Sequence, residues 1–162
     1  MAKKKVGTSN IVLLVAALLA VVAIFMMLAP GITATPKIGE KTSVSGFKLM
    51  FGSEKGHDFN FVMFLSLIFS IVGLVGVVLA LLLKGKIGNF LAIGGFLLAG
   101  IFYFLFRAVY PMSVGDDAWK IMEGLIKADA MKLSLGIGAI MAGILSILAA
   151  LASAAATFAL KN

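Results

Sequence analysis

Two pairs of ionisable residues are the places where this sequence could do chemistry. His57 and Asp58 adjoin, a pairing that can hold and pass a proton as a general base. Asp116 and Asp117 adjoin as well, and carboxylate oxygens of that kind hold hard cations. Each pair also has a plainer reading. Spacing assigns no nucleophile to His57, so a solvated loop is expected there, and adjacent acids at a helix start act as favourable partners of the helix dipole. With no Cys in the chain, disulfide frameworks, thiolate metal sites and thiol redox catalysis are excluded, and a single His leaves little for haem or zinc. Gly94-Gly95 and Gly136-x-Gly138 lie within apolar runs and lack the lysine of a phosphate-cradling loop. The expectation is therefore no catalytic, cofactor-binding or metal-binding residue and no cofactor, in a protein that is not an enzyme.

The elements that must carry these residues follow from composition. Of 162 residues, 62% are hydrophobic and 13% charged, and mean hydropathy is +1.14, far from the balance of a water-soluble domain. Four stretches are long and apolar enough to cross a bilayer as helices: 11–29, 59–83, 87–106 and 133–160. The chain thus reads as a single four-pass membrane domain over residues 1–162, with polar segments at 30–58 and 107–132. The first stretch follows a basic start, as a signal peptide does, but its apolar run is long and Pro30 follows Ala29, so it is expected to be retained. No ionisable side chain stands at mid-span, which removes exporters that depend on a membrane-embedded carboxylate.

Charge orients the spans, because Lys and Arg close to span ends are held in the cytoplasm. Lys3, Lys4, Lys5, Lys84, Lys86 and Lys161 fall on one face with no acid. The other face mixes eight basic residues with all seven acids. Both termini are expected in the cytoplasm of a plasma-membrane protein. The net charge of +7 reads as a topology signal, and no nucleic-acid partner is expected.

In the first outer segment, Ile32 to Ile38 and Ser43 to Phe51 predict an antiparallel β-hairpin turning at Gly39-Glu40-Lys41. The second strand would place Phe47, Leu49 and Phe51 on one face and Lys48 and Met50 on the other. In the second outer segment, Ser113 and Asp116 form a loose capping box. Ala118, Trp119, Met122, Leu125 and Ile126 share one face of a short amphipathic helix, with i,i+4 pairs Asp116–Lys120 and Glu123–Lys127 opposite. That helix is expected to lie at the membrane interface with Trp119 among the headgroups. Phe47, Leu49, Phe51, Trp119 and Met122 are the candidate interaction surface.

Small residues recur four apart within the spans, as in Gly76/Ala80, Gly95/Ala99, Ala139/Gly143 and Ser146/Ala150. Such spacing lets helix backbones approach closely where lipid supplies no hydrophobic drive for association. Internal packing of these faces is expected ahead of contact with a second copy.

The expected fold class is an all-α membrane protein: a four-transmembrane-helix bundle with a small extracellular β-hairpin and a short amphipathic interfacial helix. Four spans, an extended first outer segment, a shorter second one and cytoplasmic termini resemble the claudin-like tetraspan architecture, which implies an outer sheet over a left-handed bundle. The signature of that family, a Trp, a Gly-Leu-Trp and two cysteines, is absent. Ser45-Gly46-Phe47-Lys48-Leu49-Met50-Phe51-Gly52 stands in the comparable place, so no adhesion or pore residue carries over. The thirteen Lys against one Arg are also similar to uncharacterised small four-pass proteins of Gram-positive bacteria, a likeness that implies no activity. The expected function is that of a non-catalytic interaction, scaffold or accessory subunit, contacting the lipid bilayer and a membrane-protein partner or further copies of itself. The alternative is an oligomeric pore or transporter for a small neutral or hydrophobic solute.

Overall fold

A computed structural model describes residues 7–53, 56–83 and 86–159. Lys3, Lys4, Lys5, Lys84 and Lys161, which carry most of the sidedness expectation, lie outside the described residues, as do Lys55 and Glu54. The four apolar stretches form helices α1 (Thr8–Met26), α3 (Phe61–Leu83), α4 (Lys86–Phe104) and α7 (Ile137–Phe158), each long and apolar enough to span a membrane. Between them lie β1 (Pro30–Pro36), β2 (Thr42–Ser45), α2 (Gly46–Phe51), α5 (Phe106–Val109), a 3-10 turn (Tyr110–Ser113), α6 (Asp116–Lys127) and β3 (Met131–Leu135).

The long helices form a ring in which α1 packs on α7, α7 on α4, α4 on α3 and α3 on α1. Chain direction alternates around this ring, so every neighbour is antiparallel, as in an up-down-up-down bundle. Buried positions recur at alternating steps of three and four: Leu13, Ala16, Ala20 and Ala23 on α1, and Ser66, Ser70, Gly73, Val77 and Ala80 on α3. That is the repeat of helices crossing at about 20°.

On α7 size is sorted the opposite way from a water-soluble core, whereas α3 and α4 also bury Met63, Phe96 and Tyr103. The inward positions of α7 are Gly138, Ala139, Ala142, Gly143, Ser146, Ala149, Ala150, Ser153 and Ala156, while Ile144, Leu148 and Leu151 point outward. Leu14, Leu18 and Phe25 on α1 and Val75, Val78 and Leu82 on α3 are likewise exposed. The small inward residues set the helix spacing. A methyl group at Gly76 would overlap the backbone of Gly88 and Ala92, and one at Gly95 would overlap the backbone of Gly73. Gly76, Gly95, Ala139, Gly143, Ser146 and Ala150 are thus all buried within one chain.

All the short elements gather at one end of the bundle, where α1 and α4 finish and α3 and α7 begin. They differ from the sequence expectation in two ways. The hairpin is a three-stranded antiparallel sheet in the order β2-β1-β3, pairing Ile32 with both Val44 and Leu135. The third strand takes residues 131–135, so the last long helix starts at Ile137 rather than at Leu133. Its alternation buries Leu133 and exposes Lys132. A two-stranded ribbon is marginal in water, and the added strand gives β1 a partner on each edge.

The second correction concerns residues 46–51, which are helical rather than extended. Ser45 keeps extended backbone and its side-chain oxygen accepts from the Lys48 N–H at 3.4 Å, a helix N-cap. Helical spacing turns Gly46, Leu49 and Met50 inward, so Met50 is buried, not opposed to Leu49. Phe47 is half-buried. Phe51 is 53% exposed, stacking on Phe47 and edge-on to Phe64.

Candidate functional site

The end of the bundle that carries the sheet holds a groove of about 560 Å³ lined by Leu28, Pro30, Ser43, Val44, Ser45, Lys48, Ser53 and His57. It draws on the end of α1, the start of β1, β2, α2 and the loop that leads into α3. The Ser45 cap starts α2 so that Lys48 falls in its first turn, where the side chain is exposed. After α2 the chain reverses at Gly52, whose φ of 82° is left-handed. A side chain there would press on the His57 carbonyl. The Ser53 N–H then donates to the His57 carbonyl at 2.8 Å, which brings Ser53 and His57 to the same wall.

His57 stands between this groove and the core. Its Nε2 lies 3.4 Å from the Tyr110 hydroxyl. Burial holds the imidazole below its ordinary pKa of 6.5, with the Asp58 carboxylate opposing that shift. Burial also raises the Tyr110 phenol above its ordinary value. The two rings therefore meet as neutral partners, and a phenol held protonated is a poor nucleophile. Tyr110 in turn meets Trp119 edge to face, with 6.4 Å between ring centroids.

Beneath this pair runs a column of buried polar groups. Asn60 caps α3, its Oδ1 accepting from the Met63 N–H at 3.0 Å. Its Nδ2 donates to the Val109 carbonyl and to Ser113 Oγ, both at 2.9 Å. Deeper in the bundle, Ser66 Oγ donates to the Met63 carbonyl and Ser70 Oγ to the Ser66 carbonyl. Tyr103 Oη lies 3.2 Å from Ser70 Oγ. Since Ser70 has one proton and gives it to Ser66, Tyr103 is the donor in that contact. The Ser66 and Ser70 protons rest on carbonyls of their own helix, and the Ser113 hydroxyl points at Met63 Sδ, 3.7 Å away. The column holds α3 against α4 and the cap.

The other sequence candidates are dispersed. Asp116 and Asp117 open α6, but its N-cap is Gly115 without a side-chain hydrogen bond, so the expected Ser113 capping box is replaced by the Ser113–Asn60 bond. Glu123 and Lys127 pair at 2.8 Å, whereas Lys120 lies 3.8 Å from Asp117, not paired with Asp116. Among the described residues no group of three or more His, Asp or Glu side chains gathers as metal ligands. Trp119, Met122 and Ile126 are partly buried against the core, while Ile121 and Leu125 are exposed.

Of the five residues expected to form one surface, Leu49 is wholly buried, Phe47 and Phe51 stand on α2, and Trp119 and Met122 stand on α6, with Phe47, Trp119 and Met122 packed on the same core cluster. The groove residues Ser43, Ser45, Lys48 and Ser53, and the contacts of Asn60, Tyr110 and Ser113, had no signal in local spacing beyond Asn60 standing just before an apolar run.

No family model, curated protein or solved structure matches the chain.

Proposed function

We propose that this chain is a non-catalytic, multi-pass protein of the plasma membrane, with both termini in the cytoplasm and the sheet-bearing cap outside, acting as an interaction, scaffold or accessory subunit through that cap. The observation that carries the reading is the inverted sorting of side chains. Gly, Ala and Ser make up most of the inward positions of the bundle, with a few large side chains such as Phe96 and Tyr103, while Leu, Ile, Val and Phe cover the outside of four helices of bilayer length. In water such a surface would be one large apolar patch; in lipid it is solvated.

The cap supports the second half of the reading. It combines a sheet, a groove and α6, whose Ile121 is 68% exposed, at the end where both longer connections meet. Among the described residues, His57 Nε2 faces the Tyr110 hydroxyl, whose pKa burial raises.

Because the chain has no Cys, single-cysteine variants report sidedness cleanly. An impermeant maleimide on intact cells is expected to label Lys41→Cys and to miss Ala2→Cys and Asn162→Cys until the membrane is permeabilised. Labelling of both termini on intact cells would overturn the orientation. Crosslinking from Ile121→Cys is expected to capture a neighbouring membrane protein or a second copy, and solute flux from strictly monomeric, uncrosslinked protein would overturn the scaffold role.

A further inference from the structure

The groove has a chemical character that the cap as a whole lacks. Among the described residues its polar wall consists of three hydroxyls, Ser43, Ser45 and Ser53, one ammonium, Lys48, and one imidazole, His57, and none of these described lining residues is a carboxylate. Ser45 Oγ accepts a hydrogen bond from the Lys48 N–H, which leaves its own proton to donate. Hydroxyl donors around a single cation suit a phosphate oxygen, which accepts several short, charge-assisted bonds. The volume, about 560 Å³, is that of a small-ligand pocket.

The opposite wall tells where such a phosphate comes from. Leu28, Pro30 and Val44 are apolar, and Leu28, 66% exposed, continues the outward apolar stripe of α1 past the end of that helix. A free anion gains nothing from that wall. A lipid would, with its acyl chains along α1 and its headgroup at the level of β2 and α2. Asp58, whose carboxylate acts on His57, is not among the described lining residues, so Lys48 is the charged group of the described lining.

We propose that this groove holds the phosphodiester of an anionic phospholipid headgroup, with Lys48 as its counter-ion and Ser43, Ser45 and Ser53 as hydroxyl donors. The proposal rests on the membrane-spanning reading above and names one lipid contact of the cap. It makes Lys48 the residue that discriminates a net-negative headgroup from a zwitterionic one.

The test uses the full-length chain reconstituted into vesicles of phosphatidylcholine with a minor share of phosphatidylglycerol, followed by gentle extraction and native mass spectrometry of the lipids retained. Phosphatidylglycerol is expected to be enriched over its share in the vesicle. Lys48→Glu, at an exposed side chain, is expected to lower that enrichment by at least roughly fivefold. Ser43→Glu, which puts a carboxylate at the mouth of the groove, is expected to do the same. Lys132→Glu makes the same charge change on β3, at the other edge of the sheet, and is expected to leave the enrichment intact.

Equal retention of the two lipids by the unmodified chain would overturn the proposal, as would equal losses in Lys48→Glu and Lys132→Glu. Displacement of phosphatidylglycerol by inorganic phosphate at matching concentration would assign the groove to the free anion and overturn the lipid. Failure of the membrane reading looks different: the protein would then not float with vesicles of either composition.

Discussion

Asn60 and Ser113, fifty-three positions apart in the chain, are joined by a 2.9 Å hydrogen bond in which Asn60 Nδ2 donates to Ser113 Oγ, both side chains being buried. The same asparagine caps α3 through its oxygen and holds the Val109 carbonyl through its nitrogen. One side chain thus fixes where α3 starts and where the second connection begins.

Asn60→Ala removes the cap and takes away the donor to the Val109 carbonyl and to the Ser113 oxygen, whose own proton faces Met63 Sδ. A loss of about 2–4 kcal/mol is expected, and Ser113→Ala, which leaves the cap in place, is expected to lose about 1 kcal/mol. Thermal unfolding of the detergent-solubilised chain checks this, and equal effects of the two variants would contradict the shared role of Asn60.

Adjacent glycines on α4 should respond in opposite ways. A methyl at Gly94 meets nothing within 4 Å, whereas one at Gly95 meets the backbone of Gly73 and Phe69. Gly94→Ala is expected to be neutral or stabilising by about 0.5–1 kcal/mol through reduced backbone freedom. Gly95→Ala is expected to destabilise by about 1–3 kcal/mol by forcing α3 and α4 apart. Unfolding of the two variants side by side reads the difference directly.

Acidity should weaken the cap through His57. Its pKa in the folded chain lies below the ordinary 6.5 because of burial, so the unfolded chain takes up the proton first as pH falls. Stability is then unaffected above the unfolded value, declines as pH drops from there toward the folded value, and is level below it. Tyr110 gives the mirror case. Its pKa is raised above the ordinary 10.0, so its contribution is complete below that value and is lost as pH rises through the folded one. His57→Gln should flatten the acid limb and Tyr110→Phe the alkaline limb in pH-dependent unfolding. An unchanged acid limb in His57→Gln would show that another group sets it.

The four long helices were legible because bilayer-length apolar runs leave the backbone one way to satisfy its hydrogen bonds. The cap was legible only in part. Leu133 and Leu135 run into the apolar stretch of α7 without a break, so the alternation of Met131, Leu133 and Leu135 with Lys132 and Ser134 was absorbed into a helix. The six residues 46–51 fit a strand face by their odd positions and a helical turn by Gly46, Leu49 and Met50, and a segment that short is decided by tertiary packing under Met27 and Gly31. The groove could not be read at all. Its lining comes from five separate pieces of chain, brought together by the β2-β1 register and the turn at Gly52, and neither leaves a fixed spacing in the sequence.

The sheet also sets an order on synthesis. β1 pairs with β2 a few residues later, but its other edge waits for β3, and the Ser134 hydroxyl that reaches the Thr33 carbonyl is 101 positions downstream. A nascent chain therefore carries an open strand edge until its last helix is about to emerge, and a ribosome that stalls earlier leaves that edge bare for proteases and chaperones to recognise.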